Sequence, residues 1–257
     1  MATTLSPSPT LDEAPLLSGR LAVRAVAALA GFAALTAAIT VGGHRLGQDI
    51  ALGGHTDRET PISVAIGSDT LTLAANTIRF PSERADGAAE RVDLYLTWPE
   101  MQGYRADNSL RFNDVSQSSS LLFLQISQST MSRDMSGRLE PIYSHLIEGN
   151  AFAGPHGLTG HRLKVEAGYN GEVLLTAPRS GEPDYVVRCI LPKRPQDATS
   201  GDCQRDIKLG NDLSVLYRFS SAQLGDWQHI DAAIRRFVES RLAATPAGQG
   251  DATAADE

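Results

Sequence analysis

Cys189 and Cys203 are the two cysteines of this 257-residue chain, and thirteen residues separate them. A redox couple would need a Cys-x-x-Cys pair, and a zinc site would need two more ligands at short spacing, and neither is present. Cys189 ends one predicted strand and Cys203 begins the next, so the two residues can reach the Cα separation of a disulfide. The sequence therefore predicts a structural Cys189–Cys203 disulfide that contributes about 3 kcal/mol.

Three histidines and a glutamate invite a metal interpretation. His145, Glu148, His156 and His161 lie close together in the sequence, and the glycine-rich segment 154–161 could turn two imidazoles toward one ion. Their spacing matches no zinc signature. Two interpretations stay open, a metal site formed by His145, His156 and His161, or polar loop and helix-surface residues. No cofactor is predicted.

Motifs for nucleophilic catalysis are missing from the sequence, which contains no Gly-x-Ser-x-Gly, no Ser-x-x-Lys and no P-loop. Paired carboxylates for glycan cleavage need proximity in space rather than in sequence. Asp93, Glu100, Asp107 and Asp114 therefore stay candidates beside the simpler interpretation of solvated surface acids. No catalytic residue is predicted.

The segment "LTWPEMQGY", residues 96–104, places three large side chains just after a predicted strand. Trp98, Met101 and Tyr104 form either an exposed platform that binds a sugar or a partner protein, or a plug that closes one end of the core.

The charge balance excludes one class of partner. The net charge is −7, and no cluster of Lys and Arg is present. Phosphate backbones are bound by basic patches, so nucleic acid is not expected to be the main partner.

The amino-terminal region predicts a membrane anchor. Residues 1–19 have no apolar period and predict a disordered cytoplasmic leader. Residues 20–43 follow as the anchor, and its stretch 25–43 carries no charge and is just long enough to contact lipid across a bilayer. A cleaved signal peptide and a buried alanine-rich helix are the alternatives. Arg20 and Arg24 favour a cytoplasmic amino terminus, so the rest would be periplasmic in a Gram-negative bacterium.

Beyond the anchor, residues 44–60 predict a tether, residues 61–242 a periplasmic domain, and residues 243–257 a disordered acidic tail. Alternating apolar residues in "RVDLYLTW" predict a strand that is wet on one face, with Val92, Leu94 and Leu96 on the other.

Further strands and two helices complete the predicted domain. Asn170-Gly171 predicts a tight hairpin, and several short strands joined by turns follow, which is typical of an antiparallel sheet. The segment 138–148 predicts a short helix, and residues 226–242 predict an amphipathic helix capped by Asp226. The predicted fold class is α+β, a largely antiparallel β-sheet with a C-terminal amphipathic helix packed on it, preceded by one transmembrane helix.

The chain resembles a family of small membrane-anchored envelope proteins of rhizobia-like alphaproteobacteria. The amino-terminal span, "LYLTWPEMQGY", the two cysteines and "LSVLYRFSSAQLGDWQHIDAAIRRFVESRL" carry this layout-level resemblance over roughly residues 20–242. The resemblance implies a Gram-negative inner-membrane setting and no particular reaction.

These observations predict a single-pass, non-catalytic protein of the bacterial inner membrane whose periplasmic domain binds an envelope protein or glycan. The alternative is an envelope hydrolase with residues assembled from loops 98–114 and 145–161. Transmembrane signalling is a third hypothesis, although about twenty cytoplasmic residues cannot form an output domain.

Overall fold

The computed structural model of this protein describes residues 19–243. The predicted leader and acidic tail therefore lie almost wholly outside the described residues. The described chain divides into two units, one that ends at Gly53 and one that begins at Gly54.

The described part of the first unit is formed by the helix α1, which spans Gly19–Leu52. Its segment Gly19–Gly43 has a mean hydropathy of 2.0, and it is long and apolar enough to cross a membrane. A signal sequence near the amino terminus has the same properties, so length and composition fit both exported alternatives. The helix continues to Leu52, so the first part of the predicted tether, residues 44–60, is helical.

The second unit contains the sheet. Its strands within the described residues are β1 Pro61–Ile66, β2 Asp69–Ala74, β3 Gly87–Ala88, β4 Arg91–Thr97, β5 Leu121–Gln128, β6 Ile147–Ala153, β7 Thr159–Leu163, β8 Val173–Arg179, β9 Glu182–Cys189, β10 Cys203–Leu209 and β11 Leu213–Phe219. Its helices there are α2 Ser109–Asn113, α3 Ser144–Leu146 and α4 Trp227–Glu239.

The strands form two sheets. The larger sheet has the order β4-β5-β11-β10-β9-β8-β7-β6, and every neighbouring pair in it is antiparallel. The smaller sheet has the order β2-β1-β3. Successive strands are neighbours from β6 to β11, whereas β5 pairs with β11 and β1 pairs with β3 in parallel. The predicted α+β class is confirmed.

The ladder between β9 and β10 is short. It consists of the register pairs Cys203↔Cys189 and Gln204↔Arg188, whereas β10 and β11 pair along their whole length. Few ladder bonds therefore fix how β9 lies against β10.

Strand β4 contributes its apolar face to the core as predicted. Val92, Leu94 and Leu96 are all buried, because alternate side chains of a strand point to one face. Tyr95, predicted to face water, is also buried. The prediction of a wet second face is wrong there, because the ring of Phe112 from α2 packs edge-on against Tyr95.

The C-terminal amphipathic helix is confirmed as α4. Ile230, Ile234 and Val238 are fully buried in the same hydrophobic core as the sheet residues. Asp226 precedes the helix but makes no capping hydrogen bond with its side chain. The predicted cap is wrong, because the Asp226 carboxylate is bound elsewhere, by Trp98 and His229.

Two local predictions need correction. Segment 138–148 forms a π-helical turn, Leu139–Tyr143, and then the short α3, because the chain enters β6 at Ile147. Strands β7 and β8 do pair, but residues 164–172 connect them with a wider loop. Of Asn170 and Gly171, only Gly171 has a positive φ, 76°, so this turn is not the type I′ hairpin that the dipeptide favours.

Candidate functional site

The two cysteines form the predicted disulfide. Cys189 is the last residue of β9 and Cys203 the first of β10, and their Cα atoms lie 4.1 Å apart. Both residues are fully buried in the main core. The disulfide is therefore a structural cross-link within the sheet.

The three histidines of the metal hypothesis lie on different elements. His145 on α3 and His156 in the turn before β7 are exposed, and His161 on β7 is half-buried. The His161 Nε2 atom lies 3.2 Å from Thr176 Oγ1. Across residues 19–243 no three His, Cys, Asp or Glu side chains are grouped as metal ligands. The arrangement is that of polar loop and surface residues.

Trp98, Met101 and Tyr104 pack inward rather than forming an exposed face. Tyr104 is 5 % exposed, and Trp98 and Met101 are partly buried against the main core. The indole nitrogen of Trp98 donates to Asp226 Oδ2 at 3.1 Å. This packing is what a plug at one end of the core requires, and it offers no aromatic platform for a sugar.

A histidine that sequence reasoning missed lies within this aromatic packing. His55 stacks on Tyr104 with ring centroids 4.6 Å apart, and its Nδ1 atom lies 3.0 Å from the Tyr95 hydroxyl. Burial lowers the pKa of His55, and the positive charges of Arg84 and Arg79 lower it further. No local sequence motif predicts the cluster around His55, because its rings come from separate elements.

The lowered pKa of His55 predicts a pH-dependent stability. The folded state disfavours the charged imidazole, so the stabilising contribution is present above the ordinary value of 6.5 and is lost as pH falls below it. In urea unfolding, the free energy of unfolding should therefore fall less between pH 7.5 and pH 5 for His55→Phe than for the natural protein. Gln196→Phe, which changes an exposed position and no titratable group, should keep the natural pH dependence. An equal loss of unfolding free energy in all three proteins would contradict this assignment.

The loops of the hydrolase alternative meet at one turn, Ser221–Asp226. Trp98 of the first loop donates to Asp226. The ring of His156, from the second loop, packs against Gly225: a Cβ atom placed on Gly225 would lie 3.0 Å from His156 Nδ1. Asp226 also orients His229, with Oδ1 2.5 Å from Nδ1. Such a pair can act as a general base. The His229 side chain is 81 % exposed, however, and among the described residues no serine, threonine or cysteine side chain hydrogen-bonds to it.

A buried ion pair lies under α4. Arg205, fully buried on β10, donates from Nε to Asp231 Oδ1 at 2.9 Å, and the Tyr217 hydroxyl donates to the same oxygen at 2.7 Å. Arg205 Nη1 donates to the Val186 carbonyl and to Ser136 Oγ. Burial alone would raise the pKa of Asp231, but the Arg205 charge and the Tyr217 hydrogen bond outweigh it, so that pKa lies below its ordinary value. The carboxylate is therefore held charged.

The other oxygen of Asp231 faces a surface groove of about 300 Å³ between α4 and the turn that joins β8 to β9. Arg179 Nη1 lies 3.3 Å and Arg235 Nε 3.5 Å from Asp231 Oδ2. The groove is lined by Pro178, Arg179, Ser180, Glu182, Trp227, Gln228, Asp231, Ala232 and Arg235. We call this surface the arginine groove.

Sequence reasoning missed the arginine groove, although two residues carried a signal. Arg205 occupies an inward position of the alternating β10 pattern, between Cys203 and Ile207. Asp231 lies on the apolar face of α4, one turn from Trp227 and Ile234. Charged residues on apolar faces are seldom left without a partner, so each could have been predicted to pair.

No family model matches the sequence, and no curated protein matches it. By architecture the second unit is a largely antiparallel α+β domain, and two solved structures are similar to the chain. One is Smlt3025, an immunity protein of the Stenotrophomonas maltophilia type IV secretion system, with 20 % identity and a TM-score of 0.50 over 74 % of this chain and 96 % of that chain. Another is the Neisseria meningitidis iron-regulated outer membrane lipoprotein FrpD, with 12 % identity and a TM-score of 0.39 over 72 % of this chain and 95 % of that chain. The similarity to Smlt3025 shows a shared fold.

Proposed function

We propose that the second unit is a non-catalytic binding domain that recognises a partner protein in the bacterial envelope. Helix α1 would hold it at the inner membrane, with the amino terminus in the cytoplasm and the domain in the periplasm. The arginine groove carries this proposal, because it presents Arg179 and Arg235 on a network that is ordered before any partner arrives.

Arginine is one of the residues that most often dominate the binding energy of protein interfaces. Trp227, which is 8 % exposed, stacks on the buried Tyr185 with ring centroids 4.0 Å apart and so fixes the wall of the groove. Arg179 is held by the Pro183 carbonyl and by Asp231. Side chains that are fixed before binding lose less entropy on association. This supports a protein partner over an envelope glycan, for which Trp98, Met101 and Tyr104 offer no exposed platform.

Location in the periplasm is supported by the disulfide and by the anchor. Disulfides persist in oxidising compartments, and Arg20 and Arg24 before the apolar span favour a cytoplasmic amino terminus. The fold is shared with a protein described as an immunity protein of a secretion system, so proteins of secretion systems are the first partners to test. The hydrolase alternative assembles its residues from loops 98–114 and 145–161. Trp98 and His156 of these loops approach the turn Ser221–Asp226, where no serine, threonine or cysteine among the described residues hydrogen-bonds to the Asp226–His229 pair.

Site-specific photocrosslinking in cells tests the proposal. A photoreactive amino acid in place of Gln228, which is exposed in the arginine groove, should produce a crosslinked species of defined mass. The same amino acid at Gln196, exposed in the loop between β9 and β10, is the matched control and should give none. Crosslinks at both positions alike, or at neither, would contradict a partner at the groove.

A further inference from the structure

The arginine groove lies on a charged network. Arg179, Arg235, Asp231 and Glu182 line the groove, and the fully buried Arg205 pairs with Asp231 beneath it, so the whole network carries a net charge of +1. The groove also lies beside the first turns of α4, and the amino end of a helix carries a partial positive charge. An anionic group would therefore be attracted to this surface.

Arg235 has hydrogen-bond donors that the described residues leave unused. Its side chain is 31 % exposed, and its one contact in residues 19–243 is the long one from Nε to Asp231. Arg179, by contrast, donates to Pro183, Asp231 and Ser136. The two terminal nitrogens of Arg235 present a planar pair of donors whose geometry matches a carboxylate.

Glu182 indicates which anion fits. Its carboxylate, on a side chain that is 61 % exposed, lies 3.1 Å from Arg179 Nη1. A surface ion pair of this kind is weak, so the Glu182 side chain can leave for water when another carboxylate arrives. Trp227, Ala232 and Pro178 line the same groove and can cover the apolar stem of an incoming acidic side chain.

We infer that the arginine groove binds an aspartate or glutamate side chain of the partner protein, with Arg235 as its main ligand. This inference rests on the proposed function and names the chemistry of the contact.

Binding of a fluorescent oligoglutamate peptide to the full-length protein in detergent micelles tests the inference, with oligoglutamine as the control peptide. Arg235→Gln should weaken oligoglutamate binding about tenfold, because a charge-assisted bidentate contact is lost. Arg236→Gln removes the same charge from the neighbouring, exposed position on α4 and should change affinity by less than about twofold. Glu182→Gln should strengthen binding, because it removes the competing carboxylate.

Equal losses in Arg235→Gln and Arg236→Gln would reduce the effect to net charge and overturn the inference, as would a failure of the natural protein to prefer oligoglutamate. Displacement of the peptide by inorganic phosphate at equal concentration would also overturn it in favour of a phosphate site. In cells, a crosslink from position 228 that is still formed in Arg235→Gln would mean that a partner binds at the groove but does not depend on the carboxylate contact. If the protein whose sole change is the photoreactive residue at position 228 gives no crosslink, the proposed function itself is rejected.

Discussion

Asp231→Ala should lower the free energy of unfolding by about 3–5 kcal/mol, which is the cost of leaving a buried charge without its partner. Arg205 is fully buried, and its Nε atom has Asp231 as acceptor. The substitution also removes the acceptor of the buried Tyr217 hydroxyl. The loss therefore exceeds what the few removed atoms of the side chain would cost by packing alone.

Urea unfolding monitored by tryptophan fluorescence measures this loss. Asp197→Ala, which breaks the exposed Arg194–Asp197 pair, is the matched control and should cost less than about 1 kcal/mol. The double variant Arg205→Met with Asp231→Leu should recover most of the stability, because both charges leave the core together. A double variant no more stable than Asp231→Ala would show that the loss arises from packing rather than from an unpaired charge.

Replacing both cysteines by alanine should lower the free energy of unfolding by about 3 kcal/mol, the chain-entropy value for a closed loop of this size. The natural protein should lose the same stability when it is unfolded and refolded in a thiol reductant, whereas the variant should not respond. Because both sulfur atoms are buried, the reductant should act only after the domain opens.

Alkylation of thiols in cells connects this prediction to location. Cys189 and Cys203 should resist alkylation in the exported protein, and they should react once denatured if residues 20–43 are deleted and the chain stays in the reducing cytoplasm. Oxidised cysteines in the deleted form would remove the support that the disulfide gives to a periplasmic location.

Local patterns were enough to predict the elements whose partners lie nearby. Alternation placed Val92, Leu94 and Leu96 in the core, and helical spacing placed Ile230 and Ile234 against the sheet. The disulfide followed from the position of each cysteine at a strand end. These signals depend on one element at a time, so a single sequence contains them.

The arginine groove and the His55 cluster could not be predicted in the same way. Between Arg205 and Asp231 the chain passes through the rest of β10, through β11 and through the turns on either side of β11, and their pairing depends on how α4 lies over β10. His55 meets Tyr95, Tyr104 and Phe112 only when four separate segments pack together. Local sequence shows that such residues are unusual where they stand, but not which residues they meet.

The short ladder between β9 and β10 gives the disulfide a second consequence. Strand β9 contributes the Val186 carbonyl that accepts from Arg205 Nη1, and it begins at Glu182, which lines the arginine groove. With two register pairs between β9 and β10, the disulfide is a further link that holds β9 beside Arg205. The disulfide therefore acts as a clamp on the scaffold beneath the arginine groove as well as on the sheet ladder.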